Sequence, residues 1–336
     1  MKRYGYLFEQ ITGFANLYQA SHKAFCSHRD KPTIKRFWFN LENELLKLQE
    51  ELITQTYKPR SYQTFLIHEP KQRQICAAPI RDRVVHHAIC NIISPIWEKG
   101  MIYDSYACRI GKGTQAAIFR SQKFAKKYEF YLQFDVKHFF ATLDRQVLKH
   151  IICGKIKDKK VLELLSLIID QDLIGSEADK GVPIGNLTSQ WFANIYLNQL
   201  DQFIKNELLV KGYLRYMDDF ILFESSKERL HNLQYEVNCF VKNKLNLQLK
   251  PNPITSPCHQ GISFLGFRIY PNTIVLQNKR MKTLKLKIIE LEEQFICGEI
   301  SETDLSVRIE GMLAHISKYN TFKTRQKIFE EYGKIK

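Results

Sequence analysis

The chain is short of acidic residues and has no long apolar run. Its 336 residues carry 35 Asp and Glu against 50 Lys and Arg, which gives a formal net charge of +15. No stretch approaches the roughly 18 consecutive apolar residues of a membrane-spanning helix, and the first residues turn polar too early for a secretory signal. We therefore expect a cytoplasmic protein without membrane association. Repeats and Gly/Ser-rich linkers are also missing, so we expect one articulated body.

Closely spaced cysteines are missing as well. The eight cysteines are scattered, and the two that lie nearest to each other in the sequence are Cys76 and Cys90. This spacing excludes the CxxC pattern of zinc knuckles and redox pairs. In a reducing compartment, unpaired cysteines usually behave as small buried hydrophobic residues, and we expect that role here.

The surplus of positive charge predicts a polyanionic partner, because each neutralised phosphate releases counterions. No acidic residue occurs between Asp104 and Glu129, where basic residues accumulate. The candidates for nucleic-acid contact in this run are Arg109, Lys112, Lys123 and Lys126. The alternative interpretation of such a run is a solvated helix face. Charge alone indicates nucleic acid without proving it.

The hydrophobic pattern predicts mixed helices and strands. A period of three to four residues from Phe37 to Leu52 indicates one helix. Further helices are predicted at residues 81–98, 146–169, 187–211, 231–245 and from 279 onward, and strands at residues 62–67, 73–78, 130–136 and 262–269. The order of strand, helix, helix, hairpin, helix and strand implies an α+β fold with helices on one face of a sheet.

Two adjacent aspartates lie in the most informative segment, YLRYMDDFILF at residues 213–223. Apolar residues flank Asp218 and Asp219, which predicts a tight hairpin with both carboxylates at its tip. Charges placed in an apolar hairpin are costly unless cations neutralise them. Asp135 ends another apolar strand, so three carboxylates on neighbouring strands could hold two Mg²⁺ ions, or Mn²⁺, about 3.5 to 4 Å apart for phosphoryl transfer.

Three motifs resemble those of reverse transcriptases in their order and spacing. They are FDVKHFF at residues 134–140, GVPIGNLTSQ at 181–190 and YMDD at 216–219. The similarity continues through KQRQICAAPIRDRVVHHAIC, DSYACRIGKGTQ and SFLGFRI. More narrowly, IGNLTSQ and SYACRIGKGT resemble the reverse transcriptases of diversity-generating retroelements. Most related bacterial enzymes have Gln at the position of Ile184.

This resemblance implies a right-hand polymerase whose palm is an antiparallel sheet backed by helices. The implied fingers are residues 1–100 and 146–185, the palm is 101–145 and 186–272, and the helical thumb is 273–336. Asp135 and Asp218 match the family's metal ligands, and Asp219 matches the third carboxylate of the metal site. The Val136 carbonyl matches an additional ligand.

The resemblance also implies contacts to the incoming nucleotide and to the primer. The matching nucleotide-binding residues are Lys71, Arg73, Phe140, Ile184 and Gly185, and the matching primer-grip turn is Phe264, Leu265 and Gly266. Lys71 and Arg73 match contacts to the triphosphate and base, and Phe140 matches the aromatic residue that excludes a ribose 2′-hydroxyl. The structural alternatives are core packing for Phe140, solvent exposure for Arg73 and loop packing for Ile184.

The implied activity is RNA-directed DNA polymerisation that is error-prone at template adenines, because Ile184 cannot hydrogen-bond near the nascent base pair as Gln would. The implied partners are template RNA, the RNA/DNA hybrid, dNTPs and a small basic accessory protein, which can be oligomeric. Two alternatives stay open. One is another bacterial reverse transcriptase of the group II intron, retron or phage-defence type, and the other is an RNA-binding scaffold that has lost catalysis.

Overall fold

A computed structural model describes residues 3–26, 32–68, 72–171, 177–323 and 325–326. Its helices are α1 (Phe8–Thr12), α2 (Phe14–Phe25), α3 (Pro32–Phe39), α4 (Leu41–Ile53), α5 (Ile80–Glu98), α6 (Thr114–Lys127), α7 (Phe139–Thr142), α8 (Arg145–Cys153), α9 (Lys159–Ile169), α10 (Leu187–Gln202), α11 (Lys227–Leu245), α12 (Asn278–Ile296) and α13 (Glu302–Ala314). Its strands are β1 (Gln63–Ile67), β2 (Arg73–Ala77), β3 (Phe130–Asp135), β4 (Gly212–Tyr216), β5 (Asp219–Glu224), β6 (Ile254–Pro257), β7 (Ile262–Phe264), β8 (Phe267–Ile269) and β9 (Ile274–Leu276).

The central sheet has four antiparallel strands in the order β4-β5-β3-β6. Phe134 of β3 lies opposite Phe220 of β5, and their rings stack with centroids 5.0 Å apart. Because side chains alternate between the two faces, a slip of one residue would move these rings to the other face. Packing of the two rings therefore helps to fix the register on which the site depends.

Both faces of this sheet are covered, which corrects the expectation of helices on one face. On one face, Leu132, Phe134 and Leu222 join the core formed with α10 and α11. On the other face, Tyr131 and Phe223 join a second core with α6 and the small sheet β7-β8-β9. Strands buried on both sides carry apolar residues in succession rather than in alternation, as β3 and β5 do.

Helix boundaries differ from the prediction at three places. The single helix expected from Phe37 to Leu52 is divided into α3 and α4 at Asn40. The helix expected at residues 146–169 is divided into α8 and α9, and Asp158 caps the start of α9 by accepting the Val161 N–H. α10 ends earlier than expected and continues as one π-helical turn, Phe203–Glu207. α1, α2, α6, α7, β6 and β9 were not predicted.

The cysteine prediction is wrong for four of the eight residues, and Cys76 and Cys239 are only partly buried. Cys90 and Cys258 are buried, whereas Cys26, Cys108, Cys153 and Cys297 are exposed, and all eight are free thiols. The exposed ones lie at helix ends or in loops, where the hydrophobic pattern places no core position.

A membrane-spanning segment is missing from the part of the chain that the structure describes. No helix in those ranges is both long enough and apolar enough to cross a bilayer.

Candidate active site

A two-residue turn at Met217 and Asp218 closes the β4–β5 hairpin. Tyr216 and Asp219 pair across this turn, as the sequence predicts. Met217 has a φ of +57°, in the left-handed region. A positive φ at this position matches the turn to the right-handed twist of the strands, although it costs a residue other than glycine roughly 1 to 3 kcal/mol. The hairpin must therefore be held by contacts elsewhere.

The sheet register brings the three predicted carboxylates together. Asp135, the last residue of β3, lies directly opposite Asp219, the first residue of β5. Residues in such positions have Cβ atoms about 4.5 to 5.5 Å apart. The Val136 N–H donates to the Asp218 carbonyl at 3.3 Å, which ties the turn to the end of β3. Asp135, Asp218 and Asp219 thus lie at one edge of the central sheet.

Burial and mutual repulsion raise the pKa of two of these carboxyls. Burial, with the charges of Asp135 and Asp218 adding to it, raises the pKa of Asp219 to about 7. Burial also raises the pKa of Asp218, and Asp135 adds to the rise while Lys250 and Arg73 oppose it. A carboxyl cluster that holds protons this tightly is short of positive charge, which a divalent cation would supply.

Two of the carboxylates have partners from the chain itself. The Lys250 ammonium forms an ion pair with Asp135. The Gln133 side-chain amide donates to both oxygens of Asp219, at 3.0 and 3.3 Å, and to the Ser263 carbonyl at 3.2 Å. Within the described ranges, no group of three or more His, Cys, Asp or Glu side chains is already arranged around a metal position. The metal ligands therefore stay a prediction.

The donor set nevertheless suits a divalent ion. Carboxylates and a main-chain carbonyl are the oxygen ligands that Mg²⁺ prefers. No described residue donates a hydrogen bond to the Val136 carbonyl, which lies next to Asp135 in the chain. Lys250 and Asp135 are each about half exposed, so their ion pair can open without leaving a charge buried. Asp135, Asp218, Asp219 and the Val136 carbonyl are the groups that would hold the ions.

Arg215 is a site residue that sequence reasoning missed. Its fully buried guanidinium donates to the two carboxylate oxygens of Asp201 on α10, at 2.6 and 2.7 Å. It also donates to the Met217 carbonyl at 3.0 Å, and so anchors the strained turn to α10. The available signal was an arginine inside the apolar run YLRYM, since a buried charge requires a partner.

Arg73 lies within electrostatic reach of the carboxylates. It is exposed at the start of β2, and its charge opposes the rise in the pKa of Asp218. This position suits the predicted contact to a triphosphate. Lys71, the other predicted contact from this hairpin, lies outside the described residues.

The loop that contains Ile184 is held against β2. The Cys76 N–H of β2 donates to the Ile184 carbonyl at 2.9 Å. Gly185 has a φ of +115°, and a Cβ added there would lie 2.8 Å from the Ile75 side chain. Both the conformation and the close approach require glycine at this position. Ile184 is half-buried beside the strand that carries Arg73.

The two adjacent phenylalanines differ in burial. Phe139 belongs to the core, whereas Phe140 is half-buried at its margin. The Phe140 carbonyl accepts the Val182 N–H at 2.8 Å, which ties α7 to the loop that contains Ile184. Phe140 thus keeps an accessible edge next to the other predicted nucleotide contacts, and its role stays a prediction.

The predicted primer-grip turn joins β7 to β8. Leu265 and Gly266 have φ values of +50° and +84°, the pattern of a two-residue hairpin turn, and Phe264 is buried beneath them. Arg280 of α12 donates to the Leu265 carbonyl at 3.0 Å. Because Gln133 bonds both Asp219 and the Ser263 carbonyl, this sheet is connected to the carboxylate cluster.

The predicted basic residues differ in their partners, although Lys112 and Lys123 line one cavity. Arg109 is engaged with Glu98 at 2.7 Å and with two main-chain carbonyls, which favours a structural role in its loop. The Lys112 ammonium lies 3.4 Å from the centroid of the Tyr103 ring. Lys123 and Lys126 are exposed on α6 and stay candidates for nucleic-acid contact.

Residues 64–269 match the family model described as reverse transcriptase (RNA-dependent DNA polymerase). The chain belongs to the reverse transcriptase family. This membership confirms the predicted right-hand polymerase fold class and the prediction of an RNA-directed DNA polymerase. It does not reach the narrower assignment to diversity-generating retroelements.

Several known proteins are similar to this reverse transcriptase chain. Protein YkfC of Escherichia coli (strain K12) is 25% identical over 271 residues, which cover 67% of this chain and 71% of YkfC. The group II intron-encoded protein LtrA of Lactococcus lactis subsp. cremoris is 22% identical over 298 residues, which cover 68% of this chain and 50% of LtrA. Apo telomerase from Candida tropicalis aligns with a TM-score of 0.47 and 16% identity over 69% of this chain and 59% of its own. The chain therefore spans half the length of LtrA.

Proposed function

We propose that this chain is an RNA-directed DNA polymerase that adds deoxynucleotides to a primer 3′-hydroxyl. The observation that carries the proposal is the register of β3 against β5, which sets Asp135 opposite Asp219 and beside the Asp218 turn. Such carboxylates are suited to hold divalent ions for in-line phosphoryl transfer. The family match over residues 64–269 supports polymerisation as the reaction.

The carboxylate edge would supply the catalytic centre. Asp135, Asp218, Asp219 and the Val136 carbonyl would hold the divalent ions. Bound Mg²⁺ or Mn²⁺ lowers the pKa of an attacking hydroxyl and stabilises charge on a leaving pyrophosphate. Gln133 would orient Asp219, because its amide bonds both carboxylate oxygens.

The surrounding residues would position substrate and primer. Arg73 offers a planar cation to the triphosphate from the start of β2. Phe140 borders the sugar position, and the Leu265–Gly266 turn supports the primer end. The proposed partners are template RNA, the RNA/DNA hybrid and dNTPs. We assign fingers to residues 1–100 and 146–185, palm to 101–145 and 186–272, and thumb to 273–336.

Primer extension on an RNA template with Mg²⁺ tests this proposal. Asp135→Asn and Asp218→Asn should each lower the rate at least roughly 100-fold, which corresponds to about 2.7 kcal/mol of transition-state stabilisation. Glu299→Gln removes an exposed carboxylate in the loop between α12 and α13 and should leave the rate unchanged. Full activity of both aspartate variants would remove the carboxylate cluster from catalysis.

We further propose that the enzyme is of the diversity-generating retroelement type and works with a small basic accessory protein. The motifs IGNLTSQ and SYACRIGKGT support this assignment. Ile184 lies in the loop held against β2, where an apolar side chain cannot hydrogen-bond to a nascent base pair. A group II intron-type enzyme is the second candidate, because LtrA is an intron-encoded protein by name.

Error rates opposite template adenine separate the two candidates. The wild-type enzyme should misincorporate several-fold more often opposite adenine than opposite other bases, and Ile184→Gln should reduce that excess. Ile184→Val keeps the β-branched apolar shape and serves as the matched control, with an unchanged error spectrum. A wild-type enzyme with no adenine bias would favour the intron-type candidate, and a bias unaffected by Ile184→Gln would remove this residue from the explanation.

A further inference from the structure

An exposed aromatic surface lies on α2 and α3, on elements that contribute none of the carboxylates. Phe39 is 95% exposed and Trp38 is 43% exposed. The Trp38 ring meets Phe25 and His22 edge to face, with centroids 4.7 and 5.0 Å apart. A cavity of about 440 Å³ opens beside these rings and is lined by His22, Phe25, Ile34, Lys35, Trp38 and Phe39.

The packing of α3 explains why these rings face outward. Ile34 and Phe37 are buried and attach α3 to the core, so the next two side chains project beyond the packed stripe. Leaving a large apolar side chain in water forgoes roughly 1.5 to 3 kcal/mol of burial. Contiguous exposed apolar side chains beside a cavity are typical of a binding surface.

The charge of this region selects an anionic partner. Among the described residues between Gln10 and Leu41, Lys23, Lys35 and Arg36 are basic and none is acidic. Acidic residues resume at Glu42 and Glu44 in the first turn of α4, which bounds the surface on that side. A basic accessory protein would be repelled by this surface, whereas a phosphate backbone would be attracted.

Positive potential is also visible on the neighbouring helix α5. Burial and then the charges of Arg83 and Lys23 lower the pKa of His87 to about 4. Lys23 belongs to α2 and bonds the Asn91 side chain at 2.6 Å, so the cationic region extends from α2 across to α5.

We propose that Trp38 and Phe39 form a stacking surface for the bases of single-stranded RNA, separate from the polymerase centre. Stacking on aromatic rings inside a cationic region is how proteins hold unpaired strands without reading their sequence. The choice of RNA over DNA rests on the proposed function. Arg36, exposed on the same helix, would contact the backbone.

Fluorescence anisotropy with a labelled 12-nucleotide single-stranded RNA tests the surface in the full chain. An excess of unlabelled RNA/DNA hybrid without overhangs fills the polymerase cleft during the titration. Phe39→Ser and Trp38→Ala should each weaken binding roughly 5- to 100-fold, the range expected for one lost stacked base. Tyr235→Ser removes a ring that is 72% exposed on α11 and should leave the affinity unchanged.

Two further readouts separate stacking from charge and from loss of fold. An abasic oligonucleotide should bind the wild-type protein and Phe39→Ser equally, whereas Arg36→Gln should reduce the salt dependence of RNA binding by about one unit of slope. Trp38→Phe keeps a ring and should retain most of the affinity. Phe39 is almost wholly in solvent, so its serine variant should fold as the wild type does.

Unchanged RNA affinity in Phe39→Ser and Trp38→Ala would overturn this inference, and primer extension by the same preparations would show that the proposed function stands. Conversely, if Phe39→Ser and Trp38→Ala lose RNA binding but the wild-type chain extends no primer, the proposed function alone would be contradicted. Dimerisation that Phe39→Ser abolishes would assign the surface to a second copy of the chain. Equal binding of single-stranded DNA would contradict the choice of RNA.

Discussion

Replacement of Arg215 by methionine should separate the stability of the central sheet from the geometry of the β4–β5 turn. The guanidinium donates to four partners, and besides the two that matter here it bonds the Asn194 side-chain oxygen and the Ser105 hydroxyl, each at 3.1 Å. It pairs with Asp201 at 2.6 and 2.7 Å, and it donates to the Met217 carbonyl at 3.0 Å. Arg215 and Asp201 are both fully buried. Methionine keeps the approximate shape but supplies neither the charge nor the donors.

Loss of the ion pair with Asp201 and loss of the hydrogen bond to the Met217 carbonyl differ in magnitude. Removing one member of a buried ion pair leaves the other charge unpaired, which costs about 3 to 5 kcal/mol of folding stability. In Arg215→Met/Asp201→Asn no charge is buried, and the asparagine carbonyl still accepts the Tyr213 hydroxyl, so most of that stability should return. The Met217 carbonyl, however, still lacks its charged donor. A bond of this kind is worth about 1.5 to 3 kcal/mol, or roughly 10- to 150-fold in rate if the whole loss falls on the turn.

Urea unfolding and primer extension on the wild type and the same variants test this reasoning. We expect Arg215→Met to unfold at much lower urea concentration, the double variant to unfold near the wild type, and both variants to extend primers slowly. Arg215→Lys keeps the charge without the planar fork, so its stability and its rate of primer extension should lie between those of Arg215→Met and the wild type. If the double variant regains activity together with stability, Arg215 acts through folding alone and the anchoring of the turn is refuted. If Arg215→Met is as stable as the wild type, the energetics of the buried pair are refuted.

Three further perturbations have expected outcomes. His86 is buried with neither ring nitrogen bonded among the described residues, and burial lowers its pKa to about 3. As pH falls below about 6.5, the unfolded chain therefore gains a proton that the folded chain does not, and the free energy of unfolding should fall by up to about 1.4 kcal/mol per pH unit. In urea unfolding, the difference in stability between pH 7 and pH 5 should be smaller for His86→Leu than for the wild type. Gly266→Ala should lower stability by about 1 kcal/mol and weaken primer binding, because φ is +84° and the new Cβ would lie 2.5 Å from the Arg280 guanidinium; equal primer affinity by anisotropy would contradict this. Lys250→Met should tighten Mn²⁺ binding in calorimetry by no more than about five-fold, since its ion pair with Asp135 is half exposed, and weaker binding would show that the lysine assists the site.

The active-site hairpin was predictable because its signals are local. Apolar residues on both sides of Asp218 and Asp219 specify a short hairpin, and the structure has it at that place. The apolar strand that ends at Asp135 predicted that this residue lies on a strand neighbouring the hairpin, but it did not predict the register that sets Asp135 opposite Asp219, because register between strands far apart in the chain depends on packing on both faces. α6 escaped prediction because its basic and polar residues leave only a narrow apolar stripe, with Ala117, Ile118 and Phe124 buried.

Charge counting alone could not tell which cations of the basic run are paired within the protein. The sequence from Asp104 to Glu129 has no acidic residue between its ends, but folding brings Glu98 to Arg109 and Asp104 to Arg120. Two of the cations are therefore paired by acidic residues at or before the start of the run. Sequence spacing identifies a surplus of positive charge, whereas the fold determines which basic side chains are paired within the protein.

The partners of the buried carboxylates distinguish a structural charge from a functional one. Asp201 is paired with an arginine that is as buried as itself, so its charge is neutralised permanently and belongs to the fold. Asp218 and Asp219 have raised pKa values, and the charges that oppose the rise come from Lys250 and, at Asp218, also from Arg73. Lys250 is half exposed and Arg73 is exposed, so neither is fixed in place by packing. A half-buried pair of carboxylates whose opposing cations are exposed can carry both negative charges only if another positive charge enters, which is the requirement of a site that binds divalent ions and nucleotide together.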